Sequence, residues 1–461
     1  MLARFAELEP APGLGVVVVR DTQIIYMKGI GYADAEQRVP FDARTEFYIA
    51  STTKSFTGLA AAMLAQRGVW DLDAPLSKYL PEVRLKAPLD ADSITIRNLL
   101  THTHGIASGP VDLRLAYTGE YNGNAELIRL LAEHGALPSG RAYAYSNLGY
   151  NIAALAMDRL TDRSWKDVLQ ADIFKPLKMT HTSAYVSRIP RDRMAIPYRA
   201  TPTGFARAYF GKTDANMQSA GGLITTLGDM ATWLEAQLNE GRINGRQVLP
   251  AAAVRESHKV QVPAQQRGRP WKQIGYGLGW QIALRGEDTL YVHGGGFLGY
   301  ATHMSFLPAA RTGVSVMANN AEIGGGAVDL IASAIYDVVQ GKPAISRDSM
   351  NALKNAIARG RESIAADRAR RAARPQTLPY PLSAYVGRYH NPIMGTVHLS
   401  EADGHLEARF GAAWSAVETY DAAKNLLRVE PFGPGEVVTV EMDQGRAVRL
   451  KMGQFTFTRI E

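Results

Sequence analysis

The stretch Ala50-Ser51-Thr52-Thr53-Lys54-Ser55-Phe56 stands just before an apolar run, Gly58 to Gln66, that predicts a helix. Ser51 and Lys54 are three residues apart, so they lie on the same face of such a helix. A lysine that is partly desolvated there loses basicity and can take the proton of the serine hydroxyl. The helix N-terminus adds a positive dipole and free N–H groups. The pattern predicts a nucleophilic serine, and a helix-capping serine beside a solvated lysine is the alternative.

The length and composition of the chain indicate a folded protein of several domains. It has 461 residues, of which 46% are hydrophobic and 21% charged, as in soluble globular proteins. No apolar run approaches the roughly 20 residues that span a bilayer. The run at Gly15–Val19 has no basic segment before it, so the sequence as it stands predicts a cytoplasmic protein, with a periplasmic or secreted location if a leader was removed. The absence of cysteine excludes disulfides and thiolate metal sites.

The positive charge of the chain is concentrated in one segment. The net charge is +7, and residues 354–374 hold seven Lys or Arg against two acidic residues, which is +5 of that total. A basic segment of this kind is more often a solvated helix face than a nucleic-acid site. We therefore expect no nucleic-acid partner and no membrane span.

The order of the predicted elements in the first 340 residues suggests how a sheet is built. The sequence predicts strands at 14–19, 23–32, 46–50, 277–284, 289–292, 301–307 and 313–318, and helices at 94–100, 125–133, 148–160, 165–174, 229–238 and 327–339. Strands open and close this part of the chain, and helices lie between them. This order predicts an α+β fold, in which one mainly antiparallel sheet is assembled from both ends and flanked by helices plus an all-helical region.

The last third of the chain has a different pattern. A charged, alanine-rich helical connector at 347–374 ends at Pro375. Short runs with a period of two residues follow at 405–410, 437–442, 447–452 and 455–460, separated by turn signals. These runs predict a small all-β barrel or sandwich as a separate domain.

A second candidate element is Tyr145-Ser146-Asn147, which follows the break at Pro138-Ser139-Gly140 and precedes a helix, so it is predicted to lie on a loop. A tyrosine whose phenol pKa is lowered by a nearby lysine can act as a general base, and Asn147 can hold a substrate carbonyl. An ordinary aromatic loop is the alternative.

A third element is His293-Gly294-Gly295-Gly296, which directly follows the predicted strand at 289–292. Glycines there let a substrate lie close against the strand, and their N–H groups can meet an oxyanion. A glycine-rich turn is the alternative. A dinucleotide fingerprint is excluded because a strand follows instead of a helix, and an α/β-hydrolase motif is excluded because the chain has no G-x-S-x-G.

The three motifs, in this order and at these separations, resemble those of one family. S-x-x-K at 51–54, Y-x-N at 145–147 and H-x-G at 293–295 are similar to the motifs of the class C β-lactamase and penicillin-recognising serine hydrolase family. The stretches at 94–106, 219–223 and 276–280 resemble it as well. The resemblance implies a β-lactamase-like domain at 1–340, followed by a charged helical linker at 341–378. The tail at 379–461 is similar to the lipocalin-like β-barrel of some peptidase and D-aminopeptidase members.

The resemblance also implies a role for each residue. Ser51 would be the nucleophile, Lys54 would deprotonate it, and Tyr145 would relay the proton to the leaving group. Asn147 would orient the substrate, and the backbone N–H groups of Ser51 and Gly296 would form the oxyanion hole. Either Lys54 or Tyr145 serves as the acylation base, and we expect the pair to titrate jointly.

The third motif departs from the family pattern. Penicillin-binding and β-lactamase members typically carry K-T-G, whose Lys and Thr help to bind the carboxylate of the drug, whereas this chain has His293 and Gly294. An unperturbed histidine is largely uncharged at neutral pH. The lost charge-assisted bonding costs about 1.5–3 kcal/mol, so efficient β-lactam turnover is disfavoured. H-x-G resembles the D-aminopeptidase and esterase branches more closely.

The sequence therefore predicts a serine hydrolase that forms an acyl-enzyme on Ser51 and cleaves D-amino-acid-containing, peptide-like amides or carboxylic esters. A carboxylesterase or weak β-lactamase is the alternative within the class, and a non-catalytic protein that binds peptidoglycan fragments is the alternative outside it. The expected partner is a small molecule or short peptide, with no cofactor, and a homo-oligomer is left open. His102 and His104 form an H-x-H without an acidic partner pattern, which favours a turn over a metal site.

Overall fold

The structure is a computed structural model that describes residues 2–209, 211–266, 268–375, 377–433 and 435–460. The α-helices within these ranges are, in chain order, α1 (Leu2–Ala6), α2 (Thr53–Gln66), α3 (Leu76–Tyr79), α4 (Ile96–Leu100), α5 (Pro110–Leu113), α6 (Asn124–Leu130), α7 (Leu148–Thr161), α8 (Trp165–Leu169), α9 (Lys175–Leu177), α10 (Leu227–Leu238), α11 (Ala251–His258), α12 (Gly325–Val339) and α13 (Arg347–Ala372). None of the helices in these ranges is both long and apolar enough to cross a membrane.

The strands of the same ranges are short in the middle of the chain and long at its two ends. They are, in chain order, β1 (Gly13–Arg20), β2 (Gln23–Asp34), β3 (Val39–Pro40), β4 (Phe47–Tyr48), β5 (Tyr198–Ala200), β6 (Phe205–Arg207), β7 (Ile224–Thr225), β8 (Arg242–Ile243), β9 (Arg246–Gln247), β10 (Val262–Pro263), β11 (Lys272–Tyr276), β12 (Gln281–Arg285), β13 (Asp288–Phe297), β14 (Tyr300–Leu307), β15 (Thr312–Ala318), β16 (Gly387–Asn391), β17 (Gly395–Ala402), β18 (His405–Phe410), β19 (Ala413–Ala416), β20 (Glu418–Asp421), β21 (Leu426–Val429), β22 (Glu436–Asp443), β23 (Arg446–Met452) and β24 (Phe455–Arg459).

The first sheet is antiparallel and joins the two ends of the part of the chain up to Val339, which we call the hydrolase-like part. Among the described residues its nine strands run in the order β10-β11-β12-β13-β14-β15-β1-β2-β3. Strand β1 pairs with β15, so that Val16 lies opposite Val316. The predicted fold class is confirmed, because strands from both ends of this part build one sheet with helices against it.

The valine run of β1 explains why this sheet is covered on both faces. Side chains alternate along a strand, and Val17 and Val19 pack into the core beneath α2 and α10, whereas Val16 and Val18 pack into the core beneath α12. A strand buried on both faces reads as a continuous apolar run rather than as an alternating one.

Helix α2 lies at the centre of the helical region. Every residue from Thr53 to Leu64 is buried, which is the pattern of a helix packed on all sides. Gly58 lets α2 approach the turn between β11 and β12, since a Cβ at this position would lie 2.2 Å from the carbonyl oxygen of Leu278. The close packing fixes the start of α2, where Ser51 and Lys54 lie.

The C-terminal part is a nearly closed barrel with its own core. Within the described residues its nine strands run in the order β19-β18-β17-β16-β24-β23-β22-β21-β20, so the two edge strands are neighbours in the chain. The barrel lies against the hydrolase-like part, where Ala412 N–H donates to the oxygen of Thr118 at 2.9 Å. Arg371 of α13 forms an ion pair with Glu418 of the barrel. The likeness to lipocalins and the division at residues 340 and 378 stay predictions, and Met1 and Glu461 lie outside the described residues.

Three local predictions differ from the structure. The predicted strand at 277–284 is wrong in its first half, because residues 277–280 form the turn between β11 and β12, with Gly279 at a φ of +85°. The glycine run at 294–296 does not follow a strand but lies within β13, because β14 pairs with it as far as Phe297. In the described part of the barrel there are nine strands, of which the period-2 pattern identified four. Of the others, β16, β19, β20 and β21 have five residues or fewer, whereas β17 has eight.

Candidate active site

Ser51 lies on a sharp turn between a strand and the central helix. It is the middle residue of a 3-10 turn, Ala50–Thr52, which runs directly into α2. Ala50 has a φ of +47°, a left-handed conformation that costs a residue with a Cβ on the order of 1–3 kcal/mol. The turn presents Ser51 at the N-terminal end of α2, where backbone N–H groups have no partner within the helix.

Lys54 is buried and meets three oxygen atoms. Its Nζ lies 3.2 Å from Oγ of Ser51, 2.7 Å from Oδ1 of Asn147 and 2.8 Å from the carbonyl oxygen of Ala220. The amide and carbonyl oxygens only accept hydrogen bonds, whereas a hydroxyl can also donate. A neutral amine therefore gives its two N–H groups to Asn147 and Ala220 and turns its lone pair toward Ser51.

The surroundings of Lys54 favour that neutral form. Burial lowers the pKa of Lys54 well below its ordinary value, and the negative charge of Asp112 opposes this shift. Asp112 is itself buried, which raises its pKa to about 6, and it accepts a hydrogen bond from Asn151 at 3.3 Å. Lys54 and Asp112 thus form a buried pair of titratable groups without direct contact.

Tyr145 lies on the loop before α7 and reaches the same point. Its side chain is 44% exposed toward the cleft, its hydroxyl is hydrogen-bonded to Ser51, and its ring centroid is 4.8 Å from Nζ of Lys54. The expectation that a nearby lysine lowers the phenol pKa is wrong. Desolvation around the hydroxyl raises the pKa of Tyr145 above its ordinary value, and the hydrogen bond with Ser51 opposes the rise only in part. A lysine that has lost its proton has no positive charge with which to stabilise a phenolate.

The glycine run of β13 passes directly beside Ser51. A Cβ at Gly295 would lie 2.2 Å from the oxygen of Ile49 and 3.3 Å from the nitrogen of Ser51. Only glycine therefore lets strand and turn approach this closely. A Cβ at Gly296 would meet open space, so this position faces the cleft.

His293 is buried and engaged on both sides of its ring. Its Nδ1 lies 2.8 Å from the oxygen of Gly294, and its Nε2 lies 3.1 Å from the hydroxyl of Tyr276. The carbonyl can only accept, so Nδ1 carries the proton and Nε2 accepts from the tyrosine. Burial lowers the pKa of His293 to about 3. The neutral histidine expected from the sequence is thus held neutral by the fold.

The residues predicted from the sequence meet at one cleft. It has a volume of about 510 Å³, and Ser51, Tyr145 and residues 293–296 line it together with the ion-paired Arg269 and Asp329. Asn147 is not among the residues that line it, and its Oδ1 accepts a hydrogen bond from Lys54. The structure thus gives Asn147 a role in holding the lysine.

His102 supports the tyrosine loop from below. It has a φ of +62°, its Nδ1 accepts the N–H of Ser146 at 3.2 Å, and its ring centroid is 4.5 Å from that of Tyr145. His104 accepts the N–H of Ile106 at 3.0 Å within the same turn. No cluster of three or more metal-binding side chains occurs in the part of the chain that the structure describes.

Sequence reasoning did not find three groups that shape the site. Asp112 and the oxygen of Ala220 act on Lys54, and the hydroxyl of Tyr276 is hydrogen-bonded to Nε2 of His293. Two of them lie in stretches that resemble the family, at 219–223 and 276–280, so that resemblance was the available signal. Asp112 lies in no such stretch, and only its burial reveals it.

Comparison with known proteins shows a matching family and similar sequences. The Beta-lactamase family profile matches residues 2–335. The chain is 28% identical over 312 residues to Protein flp of Staphylococcus aureus (strain N315), a match that covers 67% of this chain and only 59% of that relative. It is 25% identical over 338 residues to the Beta-lactamase of Escherichia coli (strain K12), which covers 68% of this chain and 85% of that protein.

Solved structures share the fold. The octameric penicillin-binding protein homologue from Pyrococcus abyssi aligns over 99% of this chain and 98% of its own, with a TM-score of 0.62 and 19% identity. The D-amino acid amidase from Ochrobactrum anthropi SV3 aligns over 69% of this chain and 88% of its own, with a TM-score of 0.57 and 23% identity. With a family profile that matches most of its length, the chain belongs to the Beta-lactamase family, whose members are serine hydrolases.

Proposed function

We propose that this protein is a serine hydrolase that forms an acyl-enzyme on Ser51 and cleaves carboxylic esters and peptide-like amides. The observation that carries the proposal is the buried Nζ of Lys54, which lies 3.2 Å from Oγ of Ser51 and whose pKa burial lowers. Nucleophilic catalysis by serine requires a base next to the serine hydroxyl and a group that can protonate the leaving group.

Acylation begins with proton transfer from Ser51 to Lys54. The neutral amine takes the hydroxyl proton as Oγ attacks the substrate carbonyl. The oxyanion that forms accepts hydrogen bonds from the backbone N–H groups of Ser51 and Gly296. Asn147 and Ala220 keep the amine in place and then hold the ammonium that forms. The opposite pKa shifts of Lys54 and Tyr145 support the lysine as the acylation base.

Collapse of the tetrahedral intermediate needs a proton on the leaving group. The phenol of Tyr145 keeps its proton because its pKa is raised, so it can donate to the leaving group and be resupplied by the ammonium of Lys54. Water then attacks the acyl-enzyme and gives a proton to Lys54, and Lys54 passes that proton to Oγ of Ser51 as the acyl–oxygen bond breaks and the acid leaves. The cycle ends with Ser51 and Lys54 in their starting states.

Two observations bear on the substrate. His293 provides no positive charge, because its pKa is about 3 and its two ring nitrogens are occupied. A β-lactam carboxylate would lack the fixed cation of K-T-G, which supports esters and amides ahead of β-lactams. The fold shared with a D-amino acid amidase makes D-amino-acid amides the first amides to assay.

The proposal is tested by replacing Ser51 with alanine and assaying p-nitrophenyl esters, D-amino-acid amides and a chromogenic cephalosporin. We expect turnover of every wild-type substrate to be lost. Ser55→Ala is the matched control, because Ser55 lies on the same helix and donates to the oxygen of Thr52 at 2.9 Å. Undiminished turnover by Ser51→Ala would remove the assignment and favour a protein that only binds such compounds.

We further propose that the chain self-associates through β2. The outer edge of β2 from Gln23 to Lys28 has no strand beside it among the described residues, and Ile24 and Ile25 are each 49% exposed. An apolar edge strand is a template for pairing with another chain, and the structurally similar Pyrococcus abyssi protein is octameric. Light scattering should show an oligomer that Ile25→Lys dissociates and that Ile460→Lys, at an exposed site in the barrel, leaves intact. A monomeric wild type would contradict this.

A further inference from the structure

A second cavity lies between the hydrolase-like part and the barrel. It has a volume of about 240 Å³ and is lined on one side by Lys212 and Phe297 and on the other by Trp414 of the barrel. Tyr209 also lines the cavity. Its hydroxyl donates a hydrogen bond to the oxygen of Ala412 at 2.9 Å. The proton transfers proposed for Ser51 use none of these residues.

Consecutive residues of one strand line the catalytic cleft and this cavity. Residues 293–296 of β13 line the catalytic cleft, and the next residue, Phe297, lines this cavity. Gly295 lies against Ser51, and two residues of antiparallel strand span about 7 Å. The ring of Phe297 also packs against Tyr48, three residues before Ser51, with 5.6 Å between centroids. A substrate that extends along β13 from Ser51 therefore places one end here.

Lys212 is a buried cation without a counter-ion. It is 7% exposed, and its Nζ donates to the oxygens of Ala116 and Asn216 and lies 4.0 Å from the ring centroid of Phe297. Among the described residues no carboxylate pairs with it, and burial alone lowers its pKa to about 7. A buried ammonium without an anion is costly, so an anion that enters the cavity is favoured.

The acids nearest to the cavity are already paired. Glu418 forms ion pairs with Arg371 and Arg428, and Glu430 forms ion pairs with Arg199 and Arg428. These acids are outnumbered by the arginines around them. The lining arginines also pair with Glu322, Asp367 and Glu36. Lys212 is thus the cation of the lining that has no acidic partner among the described residues.

We propose that this cavity binds the acyl portion of substrates whose acyl chain ends in a carboxylate, with Lys212 as its counter-ion. The inference rests on the proposed function of Ser51, since it concerns the acyl group that this serine would carry. Phe297 and Trp414 supply apolar walls for the methylene or aromatic part of the chain, and the third N–H of Nζ is free for the carboxylate. The barrel contributes one of these walls, so the subsite is complete only in the full chain.

The test compares two ester series in the full-length protein at pH 6. One series contains p-nitrophenyl alkanoates, and the other contains mono-p-nitrophenyl esters of dicarboxylic acids of matching chain length, from succinate to suberate. We expect kcat/KM to favour the carboxylate-ended ester by about tenfold or more at one chain length, since a charge-assisted bond is gained. Lys212→Met should abolish this preference and change neutral-ester turnover by less than about threefold.

The wild type offers a second measurement that needs no variant. As Lys212 loses its proton above pH 7, KM of the carboxylate-ended ester should rise by about tenfold per pH unit, while KM of the neutral ester stays level. The ring centroids of Tyr48 and Tyr117 lie 5.7 and 5.9 Å from Nζ of Lys212. Burial raises the pKa of both phenols, so neither titrates between pH 6 and 9.

Failure of this inference is distinct from failure of the proposed function. No preference at any chain length in the wild type, or a preference that survives in Lys212→Met, would overturn the subsite. Lys166→Met is the control, because Lys166 is also a buried lysine that donates to a carbonyl oxygen but lies in another cavity, and the preference should persist in it. Calorimetry with hexanoate, which needs no turnover, should show binding that Lys212→Met loses, whether or not Ser51 is the nucleophile.

Discussion

Replacing Lys54 with methionine removes one atom from the centre of the candidate site and keeps a side chain of similar length. Nζ holds Oγ of Ser51, Oδ1 of Asn147 and the oxygen of Ala220 together. Without it, the serine hydroxyl loses its proton acceptor, and the two other oxygens lose a donor. The variant therefore separates the chemistry of the amine from the packing of its stem.

The expected loss of activity is large and the expected loss of stability is small. A general base contributes about 10²–10⁴ in rate, so kcat/KM for p-nitrophenyl butyrate should fall by about the same factor. Each buried oxygen left without a donor costs about 1–3 kcal/mol. Removal of the buried amine also removes its desolvation cost, so we expect the free energy of unfolding to change by no more than about 2 kcal/mol.

The assay measures initial rates alongside the urea midpoint of unfolding for the wild type, Lys54→Met and the control Lys166→Met. Lys166 is also buried, burial lowers its pKa to about 8, and it donates to the oxygen of Asp214. The control should keep its activity. If Lys54→Met were folded and retained more than about a tenth of the wild-type rate, the role of Lys54 as the base would be refuted.

Two further predictions concern the surroundings of Ser51. Gly295→Ala should lower kcat/KM by about 100-fold or more, because its Cβ would lie 2.2 Å from the oxygen of Ile49 and shift the serine turn. In the control Gly296→Ala the added Cβ meets open space, so kcat/KM should fall much less. Equal losses of kcat/KM in the two variants would contradict the packing argument. Asp112→Asn should move the acidic limb of the pH profile of kcat/KM to lower pH, because it removes the charge that opposes the lowered pKa of Lys54. That shift should fade below pH 6, where the carboxyl of Asp112 is itself protonated, and an upward shift would contradict it.

The parts of the fold that local patterns determine could be predicted from the sequence. The valine run of β1 and the apolar run of α2 are buried along most of their length, as their composition predicts. The spacing of Ser51 and Lys54 places both residues at one helix end. The motif order at 51, 145 and 293 predicted one shared cleft, and the structure brings these residues to it.

The electrostatics of the site could not be predicted, because they depend on burial and on partners far away in the sequence. The oxygen of Ala220 that holds Lys54 is 166 residues away. The direction of the pKa shift of Tyr145 follows from desolvation, which no motif reports. Lys212 has no motif at all, and it is notable only because the fold buries it without an acid.

The central claim is that Ser51 is a nucleophile activated by Lys54. Its most direct test is labelling with a fluorophosphonate, followed by mass spectrometry of the intact protein and of its peptides. We predict one adduct per chain, located on Ser51, and no adduct in Lys54→Met under the same conditions. An adduct on another residue, or equal labelling of Lys54→Met, would contradict the claim.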